Sequence, residues 1–241
     1  HIGNERRVAL DHWRARLSTF ADDRARLVSS WLEARRADAE VLAGSPAVRA
    51  ALSGEGDGGV AGQLERVAAA YGYLAIAVVN PAGQVVASSR ASEVPALAAE
   101  AAAAAIRADG FHADISGGGA GSHRLIFAVP VRGDVTRGGK PLGALVLTMA
   151  PERSFYALLT DETVPTRTGE VLLFRMDGKE LSYLSPFRGA PAGWSAQARS
   201  LDELAAKIPV AVERKDTFAE LTDYRAARVF AAPRWLPGPR W

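Results

Sequence analysis

The sequence predicts an α+β protein in which one long N-terminal helix is followed by two antiparallel-sheet modules in tandem. Three observations carry this. Between Glu5 and Ala43 there is neither Pro nor Gly, and apolar residues recur at helical spacing. Two β-rich runs then turn around Asn80-Pro81-Ala82-Gly83, and two more turn around Asp177-Gly178. The stretch "FAVPVRG" at Phe127 returns as "FAAPRWLPG" at Phe230, with Pro130 and Pro233 103 positions apart and Gly83 and Gly178 95 apart. That spacing is a duplicated module, because solenoid repeats run at roughly 20–50 residues.

The helix comes first. Leu10, Trp13, Leu17, Phe20, Leu27, Trp31, Ala34 and Val41 follow one another in steps that lay a stripe along one face. Arg24 and Asp38 interrupt it where a strict heptad would put another apolar side chain, so an uninterrupted coiled coil is not indicated. At 1.5 Å per residue the helix should be on the order of 55 Å long. Gly44-Ser45-Pro46 stops it, and Ser45 is placed to cap a short helix that starts at Pro46. "QLERVAAAYG" is a further helix closed by Gly72.

The first module continues with the hairpin around Asn80 and the alanine-rich helix in "SEVPALAAEAAAAAIRADG", closed by Gly110. "FHADIS", "HRLIFAVPVRG" and "PLGALVLTM" are strands, and "APERSFYALL" reads as a helix leaving the sheet. The second module repeats the order: the hairpin around Asp177-Gly178, a helix in "SLDELAAKI", then strands in "TFAELTDY" and "ARVFAAPRWL". In both copies the Pro is expected to mark where its strand leaves regular pairing. The boundaries are 1–45 for the helix, 46–160 for the first module and 161–241 for the second.

Composition narrows the function. The 241 residues are 48% hydrophobic, enough for a substantial core, and 29 basic against 27 acidic residues leave a net charge of only +2. No basic stripe points to nucleic acid. There is no cysteine, which excludes disulfides, thiol catalysis and cysteine-ligated metals. No apolar run reaches the roughly 18–20 residues that span a bilayer. "SGGGAGS" lacks the Gly-Lys-Ser/Thr ending of a phosphate loop, and no G-x-S-x-G elbow occurs. No catalytic set is expected, nor a cofactor. His112 and His123 flank the glycine loop and could hold a metal with Asp114, but ordinary polar strand residues is the reading adopted.

Taken together, "SSWLEARRADAEVLAGSPAVRAAL", "VVNPAGQVVASS", "LIFAVPVRG", "PLGALVLTMAPERSF" and "DYRAARVFAAPRWLPGPRW" resemble the double Cache family. These are paired PAS-like sensor domains found outside the membrane in bacterial histidine kinases, chemoreceptors and diguanylate cyclases. The resemblance covers essentially the whole chain. It implies two tandem PAS-like modules, each an antiparallel sheet with flanking helices: a membrane-distal one (46–160) that holds a small ligand, and a membrane-proximal one (161–241) whose C-terminal strand is missing. It further implies a periplasmic or extracellular domain of an inner-membrane protein, flanked by transmembrane helices and acting as the ligand-sensing part of a receptor, in the first instance a sensor histidine kinase. A homodimer through the N-terminal helix is expected. The alternatives are a spacer or dimerisation module that binds nothing, and the sensor of a diguanylate cyclase or chemoreceptor.

In that family the pocket lies between the sheet and the helix and loops that cover it. The expected ligand-binding residues of the distal module are Arg90, Phe111, His112, Asp114, Arg124 and Phe127. Asp114 suits an amine, and Arg90 or Arg124 a carboxylate. Alternation puts Phe111, Ala113 and Ile115 on one face and His112, Asp114 and Ser116 on the other, without saying which face looks inward. The helix lacks the Arg-x-Trp of the amino-acid-binding members. The second module offers Tyr183, Arg188, Trp194, Asp223, Tyr224 and Arg225 as a lesser alternative.

Overall fold

A computed structural model describes residues 2–55, 59–94, 96–117, 123–133, 140–159, 169–177, 180–189, 198–200, 218–223, 225, 227–236, 238–239 and 241. The first helix, α1, runs over Ile2–Ala43, 42 residues and so about 63 Å of helix. The chain divides into two compact units, one formed by Trp31–Ser154 and the other by His1–Ser30 with Phe155–Trp241.

In the Trp31–Ser154 unit, α2 (Pro46–Ser53) begins as the sequence predicts, with Pro46 in the first turn and the Ser45 Oγ accepting from the Val48 N–H at 3.3 Å. The helix α3 (Val60–Tyr71) ends at Gly72, whose φ of 74° is the left-handed conformation that closes a helix. A five-stranded antiparallel sheet follows, made of β1 (Ala75–Val79), β2 (Val85–Ser88), β3 (His112–Gly117), β4 (His123–Val131) and β5 (Gly143–Met149), in the order β2-β1-β5-β4-β3. Between β2 and β3 lie a 3-10 turn over Ala91–Glu93 and α4 (Ala98–Ala108). Asp109, not Gly110, takes the left-handed conformation at the end of α4 (φ 52°), a role its short polar side chain tolerates.

The sheet is a sandwich filling, with helices on both faces. On one face α4 packs against β4, β5, β3 and β1. Its Ala98, Ala101, Ala102 and Ala105 close on Ala77, Val79, Ile126, Ala128, Ala144 and Val146, all buried. On the other face Trp31 of α1 meets Phe127, ring centroids 5.9 Å apart. The buried residues of α1 are Val28, Leu32, Ala39, Leu42 and Ala43, whereas Leu27 and Val41 are 42% and 80% exposed. The stripe is therefore offset by one residue from the one read in the sequence, because at 3.6 residues per turn two neighbouring diagonals are both apolar here. Arg24 and Asp38, which interrupt the pattern, both have uses. The Arg24 guanidinium lies 5.0 Å from the Phe20 ring and donates to the Leu158 carbonyl, while Asp38 pairs with Arg35 at 3.1 Å.

Pro130 does not end its strand. Pairing continues through Pro130↔Ala144 to Val131↔Gly143. The Val131 carbonyl accepts from Leu142 on the β5 side, so Pro130 faces the β3 side, where pairing has already stopped at His112↔Ala128. The ladder loses nothing by the missing N–H.

In the other unit, β6 (Phe174–Asp177), β7 (Glu180–Tyr183) and β8 (Ala198–Ser200) form one antiparallel sheet, and β9 (Ala219–Thr222) pairs with β10 (Arg228–Ala231). The hairpins expected around Asp177 and in "TFAELTDY…ARVFAAP" are present; β8 was not foreseen. The helix expected in "SLDELAAKI" lies outside the described residues. "APERSFYALL" is two 3-10 turns, Pro151–Arg153 and Tyr156–Leu158, instead of one helix. Phe155, Tyr156 and Leu159 are all buried there.

Two hairpins share one closing device. The Asn80 Oδ1 accepts from the N–H groups of Ala82 and Gln84 at 3.0 and 2.9 Å, and the Asn80 N–H donates to the Gln84 carbonyl. The Asp223 Oδ1 accepts from Arg225 and Ala227 at 2.8 and 3.0 Å, and the Asp223 N–H donates to the Ala227 carbonyl. Each is a side chain standing in for a turn carbonyl. Gly83 supplies the positive φ of the first turn (81°).

Candidate functional site

The site is built on the face of the five-stranded sheet that α4 covers. Residues directly opposite in antiparallel pairs point to the same side. The register therefore makes rows: Ala77, Val146, Ala128 and His112 in one, Ala75, Thr148, Ile126 and Asp114 in the next, and Arg124 with Ser116 in the last. Successive rows are about 7 Å apart along the strands. The face is apolar at one end and turns polar toward Thr148, Asp114, Ser116 and Arg124.

This arrangement divides the six residues expected from the sequence. His112, Asp114 and Arg124 share the α4 side. Phe111 and Phe127 do not: Phe127 is fully buried on the α1 side against Trp31, and Phe111 stacks on it with centroids 5.7 Å apart. They belong to the hydrophobic core between sheet and long helix. Arg90 is exposed, immediately before the 3-10 turn. His123 is also separated from His112, for it falls in the row of Gly117 and has the parity of Leu125 and Phe127. The two histidines look to opposite faces, so they do not converge with Asp114 on one metal ion.

The polar end has a definite electrostatic character. Arg124 pairs with Glu93 of the 3-10 turn at 3.4 Å, both partly exposed. The Asp114 Oδ1 accepts from the Ile115 N–H at 2.8 Å. Burial pushes the His112 imidazole below its ordinary value, partly offset by Asp114 and Glu100, so it is neutral at pH 7. Thr148 is buried, with its side chain in the Asp114 row. Glu93 and Thr148 are the additions that sequence reading missed. The hairpin-to-strand order carried the signal for Thr148, since "LVLTM" is a strand whose only polar residue must face one side or the other.

A small molecule with one cationic and one anionic end fits this chemistry, an ammonium at Asp114 and a carboxylate at Arg124. The alanines of α4 fill the apolar end of the face. Of the residues considered in the second module, Tyr183 is buried beside Leu181, and Asp223 and Arg225 are engaged with each other in the hairpin turn. The Arg188 N–H donates to Glu170, and Trp194 and Tyr224 lie outside the described residues.

No protein-family model matches the sequence, and no curated protein sequence matches it. Solved structures do. The ligand-binding domain of the Pseudomonas aeruginosa PAO1 amino acid chemoreceptor PctB, in complex with L-Arg, superposes with a TM-score of 0.61 at 18% identity, over 89% of this chain and 85% of that one. The corresponding domain of PctC from the same organism, in complex with GABA, gives 0.54 at 20% identity, over 80% and 82%. The sensor domain of the V. cholerae histidine kinase DctB gives 0.44 at 13% identity, over 83% and 95%, a score too low to build on. The order β2-β1-β5-β4-β3, the long first helix and the likeness to PctB and PctC agree on one architecture: this chain has the double Cache fold of chemoreceptor ligand-binding domains.

Proposed function

We propose that this chain is the extracytoplasmic ligand-sensing part of a transmembrane signalling receptor and binds a small molecule carrying both an amine and a carboxylate. The observation that carries the reading is that Asp114 and Thr148 share one row of the α4-covered face and Arg124, paired with Glu93, lies in the next. The fold adds support, since PctB and PctC were solved with L-Arg and GABA, each an amine joined to a carboxylate. Among the described residues no helix is long and apolar enough to cross a membrane. Membrane attachment, a periplasmic location and pairing through α1 belong to the proposal, as does the output domain. A histidine kinase remains the reading from sequence, and the likeness to two chemoreceptor domains favours a chemoreceptor as the second. In either, ligand can transmit a signal only through a difference in affinity for two arrangements of the protein.

Calorimetry of the chain with L-Arg, GABA, other amino acids, organic acids and nucleobases tests the binding step. An amino-carboxylate should bind, and Asp114→Asn should weaken it at least about tenfold, the loss of one charged hydrogen bond. Binding that survives Asp114→Asn and Arg124→Gln unchanged would refute this site. Absence of binding by every compound would favour the spacer reading.

A further inference from the structure

We propose that the groove between the first turns of α1 and the β9–β10 hairpin binds a small aromatic carboxylate. It is a second site, independent of the α4-covered face.

The groove encloses a cavity of about 270 Å³ within the unit that holds both its walls. One wall is a face of α1 carrying Arg6, Arg7 and Arg14, positions spread over just more than two helical turns that share one side. The other is one face of the hairpin. Glu220 opposes Phe230 in the ladder, and Phe218, two residues before Glu220, has the same orientation. The Phe218 and Phe230 rings stack, centroids 5.0 Å apart and planes 22° apart, and Phe230 remains 38% exposed. The Arg14 guanidinium lies over the Phe218 ring, 5.5 Å from its centroid.

Charge and shape select the ligand. Of the two carboxylates in the groove, Glu220 is taken by an ion pair with Arg228, which leaves Asp11 against three guanidinium groups. Arg7 donates to Asn4, and Arg6 has no hydrogen-bond or ion-pair partner among the described residues. The net demand is for an anion, and guanidinium groups meet a carboxylate in bidentate fashion. The exposed Phe230 ring offers a stacking surface beside them. An apolar cavity of roughly 150 Å³ holds one benzene ring, so this volume accommodates one ring and one carboxylate.

The test is a two-dimensional NMR titration of the whole chain with benzoate, benzamide and cyclohexanecarboxylate at low ionic strength. Benzoate should shift amides of 218–222 and 228–231. Benzamide, which keeps the ring without the charge, and cyclohexanecarboxylate, which keeps the charge without the flat ring, should each bind about tenfold more weakly or worse. The triple change Arg6→Gln, Arg7→Gln and Arg14→Gln should weaken benzoate at least tenfold while leaving helix content unchanged, and Phe230→Leu should weaken it with the fold intact. Asp114→Asn should not alter it, which separates this site from the one on the sheet. No benzoate binding, or binding indifferent to the arginine changes, would overturn the proposal. Equal affinity for cyclohexanecarboxylate would overturn its aromatic part.

Discussion

His123 opens β4 with its side chain buried, 3% of the residue exposed, and the Glu152 carboxylate 3.9 Å from Nδ1. Burial pushes its imidazole below the ordinary value, with Glu152 pulling it partly back, and His112 is lowered in the same direction. A histidine whose folded-state value lies below its unfolded one binds its proton more readily in the unfolded chain. Stability is thus level above about pH 6.5 and falls as the pH drops below it, by no more than about 1.4 kcal/mol per pH unit for each histidine. Urea midpoints of the unaltered chain should decline between pH 6.5 and 5, and His123→Gln should flatten that decline. The carboxylates act in a separate window. Burial raises Asp223, but Arg225 and the N–H groups of Ala227 and Arg225 outweigh it, and the Arg234 hydrogen bond lowers Asp22. Their contributions are present above the ordinary carboxylate range and are lost only as the pH falls below it. An unchanged midpoint from pH 7 to 5 would contradict the burial of both histidines as neutral groups.

At the scale of elements, Gly143 shows how closely the sheet is fitted to its helices. It begins β5, between β1 and β4, and a Cβ there would stand 2.3 Å from the Val79 carbonyl oxygen and 2.7 Å from Leu52 Cδ2 of α2. The carbonyl belongs to a paired strand and cannot withdraw without breaking the ladder. Gly143→Ala should therefore cost about 3 kcal/mol, at the upper end of overpacking, and a urea midpoint within error of the unaltered chain would show the strand can shift. Much of this level was legible beforehand. Gly and Pro punctuation located α2, α3 and both hairpins, because caps and turns depend on local chemistry. The failures have physical causes too. Period-2 alternation in "FHADIS" separated two faces without naming the buried one, since that depends on where α1 and α4 dock. Phe111 and Phe127 thus went to the site when Trp31 claims them for the core. Similarly, the alanines of α4 advertised a helix, but only the register shows that they close the apolar half of the face.

For the molecule as a whole, the chain forms two compact units, and α1 contributes residues to each of them. The strands that carry "FAVPVRG" and "FAAPRWLPG" differ in setting: β4 lies inside a five-stranded sheet, whereas β10 pairs only with β9 among the described residues. What attaches the segment after β10 to its own unit is a set of long-range contacts that no local pattern announces. Arg234 pairs with Asp22 and donates to the Ser18 carbonyl at 3.2 Å, and the buried Trp241 packs on Phe155 at 5.8 Å. The Tyr156 hydroxyl donates to the Leu184 carbonyl at 2.7 Å. Proteins open in cooperative pieces when contacts concentrate within separate units. Arg234→Ala removes a charged hydrogen bond whose Asp22 end is half exposed, a loss of about 1 kcal/mol. Hydrogen exchange followed by mass spectrometry should then show faster exchange in peptides covering 16–24 and 228–236. The amides of β1, β4 and β5 should keep the rates of the unaltered chain, because their ladder, α4 and the end of α1 from Trp31 onward lie in the Trp31–Ser154 unit. Uniform acceleration across the chain would mean instead that the two units unfold as one.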